Sequence, residues 1–101
     1  MKYSNLIKTL EIAAKHDANY NNLGLETSAF CLHCNQEELI IEIKGVTVEE
    51  IKMLQEFGWN LGFSAIFNED DSDKWESGFN GMTDDQILEL YRKYDSISLF
   101  V

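Results

Sequence analysis

Cys31, His33 and Cys34 come nearest, by type and spacing, to a metal site, because C-x-H-C contains the pair spacing of a zinc knuckle. Structural zinc takes four ligands, commonly from two such pairs, and here only His16 and carboxylates remain to complete the set. In a regular strand, residues three apart point to opposite faces, so the two sulfurs converge only at a bulge or turn. Buried cysteines with a surface histidine are the expected arrangement, and a small metal-binding module is a second alternative. A thioredoxin-type redox pair sits at a helix start, whereas this stretch reads as a strand.

Glu69, Asp70, Asp71 and Asp73 crowd four carboxylates into five positions. A calcium loop of the EF-hand kind requires Gly at its sixth position and Glu at its twelfth. Counted from Asn68, those positions hold Asp73 and Phe79, so a solvated acidic turn or a partner-recognition segment is expected instead. No GxSxG, GxxxxGK[ST] or HExxH motif occurs, and neither His16 nor His33 has a catalytic context. The expected protein is not an enzyme, and no cofactor is expected.

The net charge of −10 lies entirely beyond residue 36. Before that point Lys2, Lys8 and Lys15 balance Glu11, Asp17 and Glu26, whereas residues 37–101 hold 15 of the 18 acids and 5 of the 8 basic residues. Such a field repels nucleic acid phosphates and steers a basic protein surface inward. Glu69, Asp70, Asp71, Asp73, Glu76, Asp84 and Asp85 are therefore the candidate partner-binding residues. Trp75 and Phe79, set among them, are the candidate desolvated centre of an interface.

Helical and strand periods place these residues on elements. Ser4 is suited to cap a helix to His16 with Leu6, Ile7, Leu10, Ala13 and Ala14 as its apolar stripe, followed by an Asn-rich loop over residues 17–24. Residues 28–34 and 38–44 alternate and are joined by a short connection, as in an antiparallel hairpin whose core face holds Leu39, Ile41 and Ile43. Thr47 with Glu50 and Thr83 with Gln86 form two capping boxes that open two helices, the first ending at Gly58. Residues 59–67 alternate as a third strand, residues 74–79 read either as a strand or as a loop, and residues 96–101 read as a closing strand. Ile40, Ile66 and Phe100 fall on the outer side of their strands.

The expectation is one α+β domain over residues 1–101: a mainly antiparallel sheet of four to five strands with about three helices, mostly on one face. Two cysteines suit a reducing cytosol, no signal peptide is read at residues 1–10, and no apolar run is long enough to span a bilayer, so a cytoplasmic protein without membrane contact is expected. Size, acidity and layout are shared by phage or plasmid inhibitors that imitate nucleic acid and by immunity proteins against basic nucleases, although no motif belongs to either class. The leading expectation is thus a non-enzymatic inhibitor or nucleic-acid mimic that docks on a basic surface of a nucleic-acid-handling protein or toxin. The alternative is a homo-oligomeric structural or regulatory domain of housekeeping type, a homodimer pairing through its sheet face or through an edge at residues 96–101.

Overall fold

Thr47 and Thr83 start two helices by the same device. Each hydroxyl accepts from the backbone N–H three residues on, and the Glu50 or Gln86 side chain returns a bond to the threonine N–H at 2.9 Å. In the computed structural model, residues 1–16, 30–33 and 38–100 are described. They form an α+β fold in the order α1 (Tyr3–His16), β1 (Phe30–His33), β2 (Glu38–Glu42), α2 (Val48–Glu56), β3 (Asn60–Leu61), a 3₁₀ helix (Phe63–Phe67), α3 (Glu69–Glu76), α4 (Asp84–Arg92) and β4 (Ser96–Phe100).

The sheet is antiparallel throughout, in the order β1-β2-β4-β3, with β3 a two-residue edge. The register pairs Ile41 with Ile97 and Leu39 with Leu99, and Leu61 with Ile97, so these residues share one face. Against that face pack Ile51 and Leu54 of α2, Ile87, Leu90 and Tyr91 of α4, and Ile12 of α1. The hairpin of β1 and β2 and the inward set Leu39, Ile41 and Ile43 are as the alternation requires.

Four differences from the sequence reading have physical causes. The strand expected over residues 59–67 stops at Leu61 because its partner stops: Leu61 pairs with Ile97, next to the first residue of β4, and Asp95 before it turns at φ 51°. The chain then winds into the 3₁₀ helix, closed by Ala65 N–H to Gly62 O at 2.8 Å and Asn68 N–H to Ala65 O at 3.0 Å. The acidic turn and the first half of the undecided stretch after it form a further α-helix, α3, ending at Glu76, and residues 77–79 leave it as a turn, so no strand forms there. The closing strand lies inside the sheet, paired along Ser96–Phe100 with β2 and on its other side with β3 at Ile97 and Ser98 alone, so on that side the stretch beyond Ser98 has no strand partner among the described residues. In α1 the inward residues are Thr9 and Ile12, while Ile7 is 56% exposed, because Thr9 is held inside by polar bonds that the apolar stripe does not reveal.

The loop at residues 17–24, Cys34 and Val101 lie outside the described residues, and of Cys31 and His33 only the strand positions enter. Ile40 is half-buried, and Ile66 lies on the 3₁₀ helix, not on a strand.

Candidate functional site

α3 begins at Asn68, whose Oδ1 accepts from Asp71 N–H at 3.2 Å. Glu69, Asp70 and Asp71 in its first turn face the positive end of the helix dipole, and Lys74 lies in its last turn. Gly78 at φ 75° lets the chain leave the helix. This winding turns Asp71 and Trp75, four residues apart, inward, and leaves Glu69, Asp70, Asp73 and Glu76 exposed. Asp84 and Asp85 are exposed in the first turn of α4. Six of the nine singled-out residues are thus on the surface.

The other three are inside. Trp75 is 2% exposed, its indole N–H donates to Trp59 O at 2.8 Å, and its ring meets Phe79 edge-on with centroids 5.3 Å apart. Phe79 is 6% exposed. The two rings close the core under α3, so they do not form the exposed centre of an interface; for Trp75 the helix at residues 69–76 is the reason, since 3.6 residues per turn carry position 75 more than a quarter turn away from positions 69, 70 and 73.

Asp71, 2% exposed, accepts from Tyr94 Oη at 2.6 Å and from Lys93 Nζ at 3.3 Å. Burial by itself raises its pKa, but the Tyr94 hydroxyl and the Lys93 and Lys74 ammoniums outweigh burial and hold the carboxyl below its ordinary value. The same bond, with burial, pushes Tyr94 up to about 12. This carboxylate is a tie between α3 and the α4–β4 corner and is not available to a partner.

A second buried carboxylate escaped the sequence reading beyond its capping role. Glu50, 7% exposed, accepts from Thr47 N–H at 2.9 Å, meets His16 Nε2 at 2.6 Å and pairs with Lys15 Nζ at 3.4 Å. Burial raises its pKa, and the Thr47 N–H and His16 bonds bring it below the ordinary value. The pair links the end of α1 to the start of α2. No periodicity could have revealed it, since the partners are 34 residues apart.

Two concavities border α3. A groove of about 310 Å³ between α3 and α4 is lined by Lys74, Met82, Gln86, Glu89, Leu90 and Lys93. A notch of about 170 Å³ lies between α3, the 3₁₀ helix and the β3 edge. Beside the notch, Ile66 is 50% and Phe67 81% exposed, directly ahead of the acidic helix. The alternation at residues 59–67 sets Ile66 outward, as it is found, but puts Phe67 on the same side as Trp59 and Leu61, so it conceals the exposure of Phe67 alone.

Among the described residues, no group of three or more His, Cys, Asp and Glu side chains is placed to hold a metal ion, and no helix is long and apolar enough to cross a membrane. Compared with protein-family models, curated proteins and solved structures, the chain finds no match in any of the three.

Proposed function

We propose that the chain is a small acidic, non-enzymatic binding protein, an inhibitor or nucleic-acid mimic, that docks on a basic surface of a nucleic-acid-handling protein or toxin. The exposed carboxylates of Glu69, Asp70, Asp73 and Glu76 substitute for phosphates, and Asp84 and Asp85 add to the field that steers approach.

The observation that carries this reading is the charge spacing on α3. Residues 69 to 76 span about 10.5 Å at about 1.5 Å of rise per residue. Along that length the four exposed carboxylates follow one another at about 1.5, 4.5 and 4.5 Å of axis, an uneven series whose mean of about 3.5 Å is close to the roughly 3.4 Å per phosphate along one strand of duplex DNA. The fifth acid of the helix, Asp71, is turned inward and neutralised, so it does not disturb the series. Ile66 and Phe67, exposed at the head of this helix, supply the apolar contact that Trp75 and Phe79 cannot make.

The test is capture of partners at about 50 and about 500 mM salt, a span that shortens the screening length about threefold. A basic nucleic-acid-handling protein, retained at low salt, displaced by duplex DNA and lost on Asp70→Lys with Asp73→Lys, supports the reading. Retention and salt dependence unchanged by that double reversal would remove α3 as the interface.

A further inference from the structure

We propose that the notch between α3, the 3₁₀ helix and β3 is a subsite for one guanidinium or ammonium side chain, arginine by fit, from the docked protein. The identity of its source rests on the docking reading above; the subsite rests on its own lining.

The argument is an inventory of hydrogen-bonding capacity. The notch is lined by Asn60, Leu61, Ala65, Ile66, Ser72, Trp75, Glu76 and Ser98. Ser72 Oγ already donates its proton to Ala65 O at 2.8 Å, and Ser98 Oγ donates to Leu61 O at 3.0 Å. A hydroxyl has one proton and two lone pairs, so each serine has only acceptor capacity left. Trp75 has used its single N–H on Trp59 O. Glu76, on α3 at the rim, accepts only when ionised. Of the lining side chains, Asn60 alone still has protons to give, and its amide oxygen accepts as well.

Such a lining rejects a carboxylate or phosphate and suits a group that has donors and no acceptor. Among side-chain groups of that description the indole N–H has one proton and is neutral and imidazolium has two, whereas ammonium has three and guanidinium presents five donors in a planar fork, with a charge that Glu76 can pair. The apolar wall of Leu61, Ala65 and Ile66 receives the aliphatic stem, as long basic side chains lay their methylenes along apolar surface. Size agrees: the notch holds about 170 Å³, and a cavity of about 150 Å³ accommodates benzene. Glu76 at the rim then pairs with the cation, continuing the acidic series of α3 into the pocket.

The experiment follows amide and indole resonances of the ¹⁵N-labelled protein during titration with N-acetyl-arginine amide, and separately with its neutral isostere N-acetyl-citrulline amide. The expected result is a saturable shift of the Trp75 indole and of Ser72, Glu76 and Ser98 with the arginine probe. Citrulline should give little shift, and Glu76→Gln, an exposed substitution that leaves the fold intact, should weaken binding about tenfold. Equal shifts from both probes, or linear shifts scattered over Glu69, Asp84 and Asp85, would overturn the subsite. The arms separate the two proposals. If the notch ignores arginine while capture still responds to reversal at Asp70 and Asp73, the subsite falls and docking remains. If arginine fills the notch while capture ignores the reversal, the subsite stands and its assignment to a docked protein falls.

Discussion

Tyr94 donates from its hydroxyl to Oδ2 of Asp71 at 2.6 Å, which ties the corner between α4 and β4 to the inward face of α3. Removing the donor leaves a nearly inaccessible carboxylate one partner short. Tyr94→Phe is therefore expected to cost about 1–2 kcal/mol. Asp71→Asn is expected to cost a similar amount, and the two changes together less than their sum, because both remove the same bond. Urea unfolding of the two single variants and the double variant measures the coupling; additive costs would mean that the bond contributes nothing.

Acid should unfold the protein through its two buried carboxylates. Asp71 and Glu50 are held below the ordinary values of 3.8 and 4.5. A depressed folded-state pKa contributes stability that is complete above the unfolded value and is lost as pH falls through the folded one. Thermal midpoints are expected to be level from neutrality to about pH 5 and to drop below about pH 4. Glu50→Gln with Asp71→Asn should start lower at pH 7 and fall less steeply; an unchanged acid slope would show that other carboxylates govern it.

The alkaline limb should report on the same tie. Tyr94 is pushed up to about 12 by its bond to Asp71 and by burial, and burial with the Asp95 charge raises Tyr91, whose hydroxyl donates to Ile43 O at 2.6 Å. A raised folded-state value contributes stability present below the unfolded value, about 10, and lost as pH climbs towards the folded one. Phenolate absorbance should rise in at least two stages, and Tyr94→Phe should remove part of the later one. A single transition near pH 10 under folding conditions would contradict the bond.

Gly62 is required for closeness, not for an unusual backbone angle, since its φ is −46°. A Cβ there would collide with Ser96 Oγ and stand 2.9 Å from Tyr94 Cβ, with backbone at 3.2 Å behind it. Gly62→Ala is expected to destabilise by about 1–3 kcal/mol, whereas Ser64→Ala, exposed two residues on, should change little. Chemical unfolding of the pair checks this, and equal stabilities would mean that the β3–β4 junction yields without strain.

What was legible in the sequence follows from how local each signal is. Thr47 with Glu50 and Thr83 with Gln86 announce α2 and α4 because a capping box is complete within four residues, and the hairpin is legible because alternation is local as well. The start of α3 carried comparable signals in Asn68, three acids in its first turn, Lys74 in its last and Gly78 after it, but a run of charges with one inward Trp has too few apolar residues to show a helical period. The end of β3 was not legible, since a strand stops where its neighbour stops, and that neighbour lies some 35 positions along the chain. For the candidate site, the six exposed acids could be named from charge alone. The inward turn of Asp71, Trp75 and Phe79 could not, because it depends on which element forms at residues 69–76.

Thr9 shows the same gap between pattern and packing, and it supplies a test of α1. It is fully buried, donates to Asn5 O at 2.8 Å and accepts from Trp59 Nε1 at 2.8 Å, so one hydroxyl satisfies two groups. Thr9→Val keeps the shape and removes the acceptor, which leaves the Trp59 indole N–H buried without a partner at a cost of about 1–3 kcal/mol. Thr9→Ser retains the hydroxyl, loses a methyl and should cost about 1 kcal/mol. The indole proton of Trp59 reports the difference directly: its hydrogen exchange should quicken in Thr9→Val and remain slow in Thr9→Ser. Equal exchange in the two variants would mean that α1 is not held to the core through this bond, and that its 3.6-residue apolar period alone seats it.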